Sequence, residues 1–135
     1  MSNLTALHFH WCVADAAKQC IESSIEQPNG WAMPDSPSIT KVQSIIFKTS
    51  LWYALLYVVV EGYENLKIKN PAGDSILTQG SHRSSLRIFR NSIFHYQKAL
   101  FGPKQHQFLN EPESFQWATE LHAALRVVVN QLIEK

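Results

Sequence analysis

The segment Arg90-Asn91-Ser92-Ile93-Phe94-His95 sets a guanidinium, a carboxamide and an imidazole within six consecutive residues. Histidine ordinarily titrates at about pH 6.5, so it takes up or releases a proton under physiological conditions. Arginine stays charged and presents its N–H donors as a fork that matches phosphate oxygens. Metal-free cleavage of an RNA strand needs these groups. The 2′-hydroxyl must lose a proton, the leaving 5′-oxygen must gain one, and the phosphate must be held while negative charge builds on it. In that chemistry Arg90 holds the phosphate and His95 is the general acid or base. Asn91 precedes His95 by one helical turn, where it can orient the imidazole or touch the substrate.

A helix must position these groups. With about 100° per residue and Arg90 as zero, Leu86, Phe89, Ile93, Tyr96 and Leu100 fall between roughly 240° and 320°, a core face. Arg83, Arg87, Arg90, Asn91, His95 and Lys98 fall between roughly 0° and 140° on the same wheel. From Ser75 to Asn110 there are five Lys or Arg and no Asp or Glu, although the chain's formal net charge is only +1. Such a local field attracts phosphate. Arg83, Arg87 and Lys98 are therefore expected to guide an RNA backbone. Arg90 and His95 lie about 140° apart on an unbroken helix, so they flank one phosphate only through the long reach of Arg90 or a distortion. One helix also supplies a single motif histidine. Two copies meeting in a symmetric homodimer would supply both acid and base.

The segment Arg90 to His95 resembles the signature of the HEPN superfamily: an Arg, then four to six residues of which the first is polar and often Asn, then a His. The resemblance implies a compact helical domain over most of residues 1–135. It implies a metal-independent endoribonuclease without cofactor, with Arg90 and His95 catalytic and Asn91 supporting. It also implies a 2′,3′-cyclic phosphate product and a dimer whose two motifs meet at the interface. HEPN domains occur in toxin–antitoxin and phage-defence systems, so an antitoxin protein is an implied partner. HEPN toxins paired with a nucleotidyltransferase antitoxin carry a modified Tyr two residues after the His. Here Gln97 stands in that place and Tyr96 comes one residue early, so control by tyrosine modification is not implied.

The rest of the chain reads as helices. Ala6, Phe9, Val13, Ala16 and Cys20 form an apolar stripe over residues 4–26. The Pro- and Gly-rich stretch 27–37 is a loop, with Trp31 and Met33 expected to fold back onto the body. Ser36 or Ser38 can cap a second helix, whose stripe is Ile39, Val42, Ile46, Thr49, Tyr53, Leu56, Val60 and Tyr63. Asp74 can cap a short helical turn that Gly80 stops. Ser81 opens the motif helix, which is expected to run to about Leu100 and end at Gly102-Pro103. Residues 103–111 read as a connector. Asn110 or Glu111 caps a last helix with Phe115, Ala118, Leu121, Leu125, Val128 and Leu132 as its buried stripe. The expected fold is all-α: an up-and-down bundle of four long helices plus a short helical turn, HEPN-like, in one domain.

Composition sets the outer bounds. With 135 residues, 45% hydrophobic and 17% charged, the chain can bury a real core and is not of a disordered type. The N-terminus lacks a basic stretch followed by an apolar one, and the longest apolar run, Leu51 to Val60, is half the length of a membrane span of about 20 residues. A cytoplasmic protein without membrane attachment is expected. Cys12 and Cys20 would lie about 12 Å apart along one helix, too far for a disulfide, and read as packed, reduced thiols. His8 and Cys12 are one turn apart but no third metal ligand follows, so no metal is expected. His122 reads as a hydrogen-bonded core or interface histidine. His82 and His106 can join the basic surface. Glu61 stands to pair with an arginine of the motif helix or to assist in the cleft. Trp11, Trp31, Trp52 and Trp117 read as core or dimer surface. The other reading of the same face (residues 82–100) is a non-catalytic helical module that binds nucleic acid or an acidic protein partner.

Overall fold

Six helices make up the secondary structure of residues 3–26, 39–95 and 102–134, the part of the chain described by the computed structural model. They are α1 (Asn3–Glu26), α2 (Ile39–Asn65), α3 (Pro71–Leu77), α4 (His82–Phe94), α5 (Pro103–Asn110) and α6 (Ser114–Glu134). No strand occurs among the described residues, so the all-α expectation holds. Helix α2 is flanked by α1 and α4; α6 packs on α1 and α3, and α5 lies on α4. Trp31, Met33, Ser36 and Ser38 lie outside the described residues, as do Tyr96, Gln97, Lys98 and Leu100.

The middle of α2 is the core. Trp52, Leu56, Val59 and Val60 are fully buried, and Tyr53 and Tyr63 nearly so. Leu86 and Phe89 of α4 and Leu121 and Leu125 of α6 complete it. Each such side chain contributes about 1.5–3 kcal/mol on burial. The ring of Tyr53 meets Phe89 and Phe108 edge-on at centroid distances of 5.7 and 4.9 Å, a geometry that aromatic quadrupoles favour. Over Ser44–Asn65, α2 is long and apolar enough to cross a membrane by length and composition, and many of those residues are spent on this core.

Four boundaries differ from the sequence expectation, each for a local reason. The short turn begins earlier, at Pro71: Asn70 caps it by accepting the Gly73 N–H at 3.0 Å, and Pro71 needs no partner at the first helical position. Asp74 lies inside that helix, where it accepts from the Asn70 N–H at 3.3 Å and from the Tyr63 hydroxyl at 2.6 Å. The expected connector is helix α5, which also opens on a proline, Pro103, but after Gly102, which offers no side-chain cap. Helix α6 begins only at Ser114, after Glu113 takes a left-handed φ of 64°. Helix α4 ends at Phe94, because His95 adopts extended angles of φ −116° and ψ 141°.

Two side-chain expectations for α1 fail. Its core stripe is Leu7, Trp11, Ala14 and Ile21, whereas Phe9 is 61% exposed and Ala16 and Cys20 face solvent. The apolar residues of α1 fall on two stripes, and the one carrying the large Trp11 ring is buried. Leu7 also explains Gly62 in mid-helix: a Cβ there would sit 2.9 Å from Leu7 Cδ1. Cys12 and Cys20 form no disulfide, but both are exposed rather than packed. On α6, Ala118, Leu121, Leu125 and Val128 are buried as expected, while Phe115 is exposed and Trp117 takes a core place instead.

Candidate active site

Helix α4 carries Arg83, Arg87 and Arg90 at successive turns, and α2 faces them with Tyr57, Glu61 and Glu64 at the same spacing. Arg90 Nη1 lies 2.7 Å from Glu61 Oε1, and its guanidinium carbon lies 5.3 Å from the centroid of the Tyr57 ring. The Arg90 side chain is 24% exposed, so it is packed against α2 with part of its surface toward solvent. Oε1 of Glu61 and Nε of Arg90 are buried without an aligned hydrogen bond among the described residues. The contact is thus an ion pair rather than a hydrogen-bonded fork.

Arg83 is engaged differently. Its Nε donates to Glu64 Oε1 at 2.6 Å and its Nη2 donates to Glu64 Oε2. The two-point bond to Glu64 raises the Arg83 pKa against the opposing effect of burial. The Tyr57 hydroxyl is embedded in this zipper. Burial raises its pKa, Glu64 and Glu61 add to the rise, and Arg83 and Arg87 oppose it.

The expectation of a basic face without acids is therefore corrected. No acid lies near in sequence, but Glu61 and Glu64 arrive from α2 and neutralise two of the three arginines. The predicted pairing of Glu61 with a motif-helix arginine is found. Arg87 is exposed between the two pairs, and Asn91 and His95 are exposed beyond them. The His95 N–H donates to the Asn91 carbonyl at 3.2 Å, so His95 closes the last turn of α4 while its own backbone leaves the helix. That is the distortion which lets Arg90 and His95 depart from a fixed angle of about 140°. Lys98 lies outside the described residues.

Compared with family models, with curated proteins and with solved structures, the chain matches none. The chemistry of the site therefore rests on its own residues.

Two features escaped the sequence. A groove of about 720 Å³ runs where α2, α3 and α4 meet, with Lys67, Lys69 and Arg83 among its lining cations and Glu64 and Asp74 among its acids. Only the packing of three elements brings these together. The second is the triad that closes around His122, itself found as the hydrogen-bonded core histidine expected from the sequence. Trp52 Nε1 donates to His122 Nδ1 at 3.2 Å, and His122 Nε2 meets Asp15 Oδ1 at 2.9 Å. Both ring nitrogens are committed, with Nδ1 the acceptor and Nε2 the donor of a neutral imidazole. Burial lowers the His122 pKa, although the hydrogen bond to Asp15 opposes this. Burial would raise the Asp15 pKa, but the bonds from His122 and Gln19 outweigh it and the net shift is downward. A groove of about 610 Å³ opens beside the triad between α1 and α6, with Lys18, Glu22 and Arg126 at its walls. The triad offers no nucleophile: the nearby Thr119 hydroxyl is bound to the Phe115 carbonyl at 2.8 Å.

The remaining histidines are not part of the basic face in the expected way. His82 stacks on Trp117 at 5.3 Å and its Nε2 contacts the Pro112 carbonyl at 2.9 Å, so it ties α4 to the start of α6. His106 is exposed on α5. His8 Nε2 lies 3.5 Å from Cys12 Sγ, and no group of three or more metal-ligating His, Cys, Asp or Glu forms among the described residues. Trp11, Trp52 and Trp117 are buried, as core residues.

Proposed function

We propose that this chain is a metal-independent endoribonuclease of the HEPN type, with a four-helix core formed by α1, α2, α4 and α6. The observation that carries this reading is the end of α4. Arg90 is held there between Glu61 and Tyr57 while 24% of its side chain stays exposed, next in sequence to an exposed Asn91 and five residues before an exposed His95. A fixed guanidinium beside a proton carrier suits a phosphate on which charge builds during reaction.

In the reaction the 2′-hydroxyl gives its proton to one His95, and its oxygen attacks phosphorus. The bond to the 5′-oxygen breaks, and a second, protonated His95 gives that oxygen its proton. The products are a 2′,3′-cyclic phosphate and a free 5′-hydroxyl. Arg90 stabilises the phosphate throughout. The second His95 comes from another copy of the chain in a homodimer. Asn91 supports the imidazole. Arg87 guides the RNA backbone, with Lys98 beyond it; Arg83 reaches phosphate only by exchanging with Glu64. A role as a cytoplasmic toxin or defence effector, with an antitoxin protein as partner, follows from the HEPN resemblance alone.

One observation favours a second reading. Arg83 and Arg90 are already paired, while Arg87 is exposed on α4 and Lys67 and Lys69 are exposed along the groove at one end of the zipper. Such a face suits a non-catalytic module that binds nucleic acid or an acidic protein.

End-labelled RNA incubated in EDTA with wild type, His95→Ala and Arg90→Ala separates the two. Cleavage by wild type, lost in both variants, is expected for the nuclease. Absence of cleavage by wild type, or equal cleavage by all three, removes that reading. RNA binding without cleavage selects the second.

A further inference from the structure

Arg83 and Arg90 lie two turns apart on one helix and meet glutamates on the same neighbour, yet the two contacts differ. Glu64 grips Arg83 through Nε and Nη2 together, so the hydrogen-bonding edge best suited to a phosphate is taken. That pair closes α4 against α2. Glu61 meets Arg90 only at Nη1, 2.7 Å away, and Tyr57 supports the guanidinium from below at 5.3 Å. Nε of Arg90 and Oε1 of Glu61 remain buried without an aligned hydrogen bond among the described residues. A pair built for stability alone would satisfy those atoms, as the Arg83 pair does, because an unsatisfied buried polar atom costs free energy.

We propose that Glu61 and Tyr57 are positioning residues for Arg90. They hold its guanidinium in one orientation and leave the exposed part of the side chain, 24% of its surface, for the scissile phosphate. The inference rests on the ribonuclease reading of the site and adds to it two α2 residues that touch neither substrate nor reacting atoms. The physical reason is preorganisation. A free Arg side chain carries about 2 kcal/mol of rotamer entropy, which it would lose on engaging phosphate. A guanidinium already fixed between a carboxylate and an aromatic face has lost that freedom on folding. Its charge then meets the developing phosphate charge without rearrangement. Tyr57 is itself packed, being 4% exposed in the middle of α2, so its ring is a fixed support for Arg90 in the fold.

The test is steady-state cleavage of a short RNA in EDTA by the full chain and four variants: Glu61→Gln, Glu61→Asp, Tyr57→Leu and Tyr57→Phe. Helix content and Tm are recorded for each, and rates are taken only on folded protein. E61Q removes the charge that aims Arg90, and Y57L removes the ring beneath it. Both are expected to lower kcat by about tenfold to a hundredfold with KM within about twofold of wild type, the signature of a misplaced group. E61D and Y57F keep the charge and the ring, and are expected to lose less than their partners. Wild-type kcat in E61Q and Y57L, or a loss confined to KM, overturns the positioning role while leaving the ribonuclease intact. Absence of cleavage by wild type overturns both. If E61Q or Y57L does not fold, the milder variants decide by the same split between kcat and KM.

Discussion

Trp52 donates its indole N–H to Nδ1 of His122 across 3.2 Å, joining the centre of α2 to the centre of α6. This bond exists only while Nδ1 carries no proton. Protonating His122 would set two N–H groups against each other in a buried site, where His122 is only 4% exposed. Burial accordingly lowers its pKa below the ordinary value of 6.5. The unfolded chain then takes up this proton at a higher pH than the folded one. The stabilisation is fully present above pH 6.5 and is lost as the pH falls from there through the lower folded value. Asp15, also shifted downward, adds a further loss below its ordinary range. Urea midpoints are expected to fall between pH 7.5 and pH 5, with the His122 share absent in a His122→Gln variant. An NMR titration that places the His122 imidazole above 6.5 would contradict this.

The Arg83–Glu64 clamp is about one-third exposed on each partner, so its net contribution to stability is small. A double-mutant cycle over Arg83→Gln and Glu64→Gln is expected to give a coupling of about 0.2–1 kcal/mol, weaker at high salt. The effect on nucleic-acid binding is larger in kind. Glu64→Gln frees one guanidinium at the edge of the groove. RNA affinity of that variant should rise, and its dependence on log salt should steepen by about 0.7 for one added phosphate contact on a single strand. Fluorescence anisotropy across a salt series reads both. An unchanged slope would show that Arg83 meets no phosphate even when released.

How much of this was legible in the sequence depends on whether the deciding contact was local. The helices themselves were, because hydrophobic period is a local property, and the stripe of α6 through Leu121 and Leu125 was correctly placed. The motif on α4 and the ion pairing of Glu61 were also readable, since both follow from charge and helical spacing. The starts of α3 and α5 were missed because Asn70-Pro71 and Gly102-Pro103 look like breakers, although proline at a first helical position opens a helix. The neutralisation of Arg83 was hidden for another reason. Glu64 and Arg83 are 19 residues apart, and charge counted along the chain does not register a neighbour in space. Asp15 and His122, 107 residues apart, left no local signal.

The face of α1 gives a direct check on packing. Leu7 and Phe9 are two residues apart and both apolar, but Leu7 is 3% exposed and Phe9 is 61% exposed. Leu7 sits where α1 crosses α2 at Gly62, and nothing larger than glycine would leave room for it unshifted. Leu7→Ala removes buried methyl groups and leaves a cavity at that crossing, which costs about 2–5 kcal/mol. Phe9→Ala removes a larger side chain from solvent, where its main described ring contact is the edge of His10 at 5.7 Å, and is expected to stay within about 0.5 kcal/mol of wild type. The order is the opposite of what side-chain size or the apolar stripe through Phe9 would suggest. Chemical denaturation of the two variants measures it. Equal losses, or a larger loss for Phe9→Ala, would mean that α1 presents its other stripe to the core.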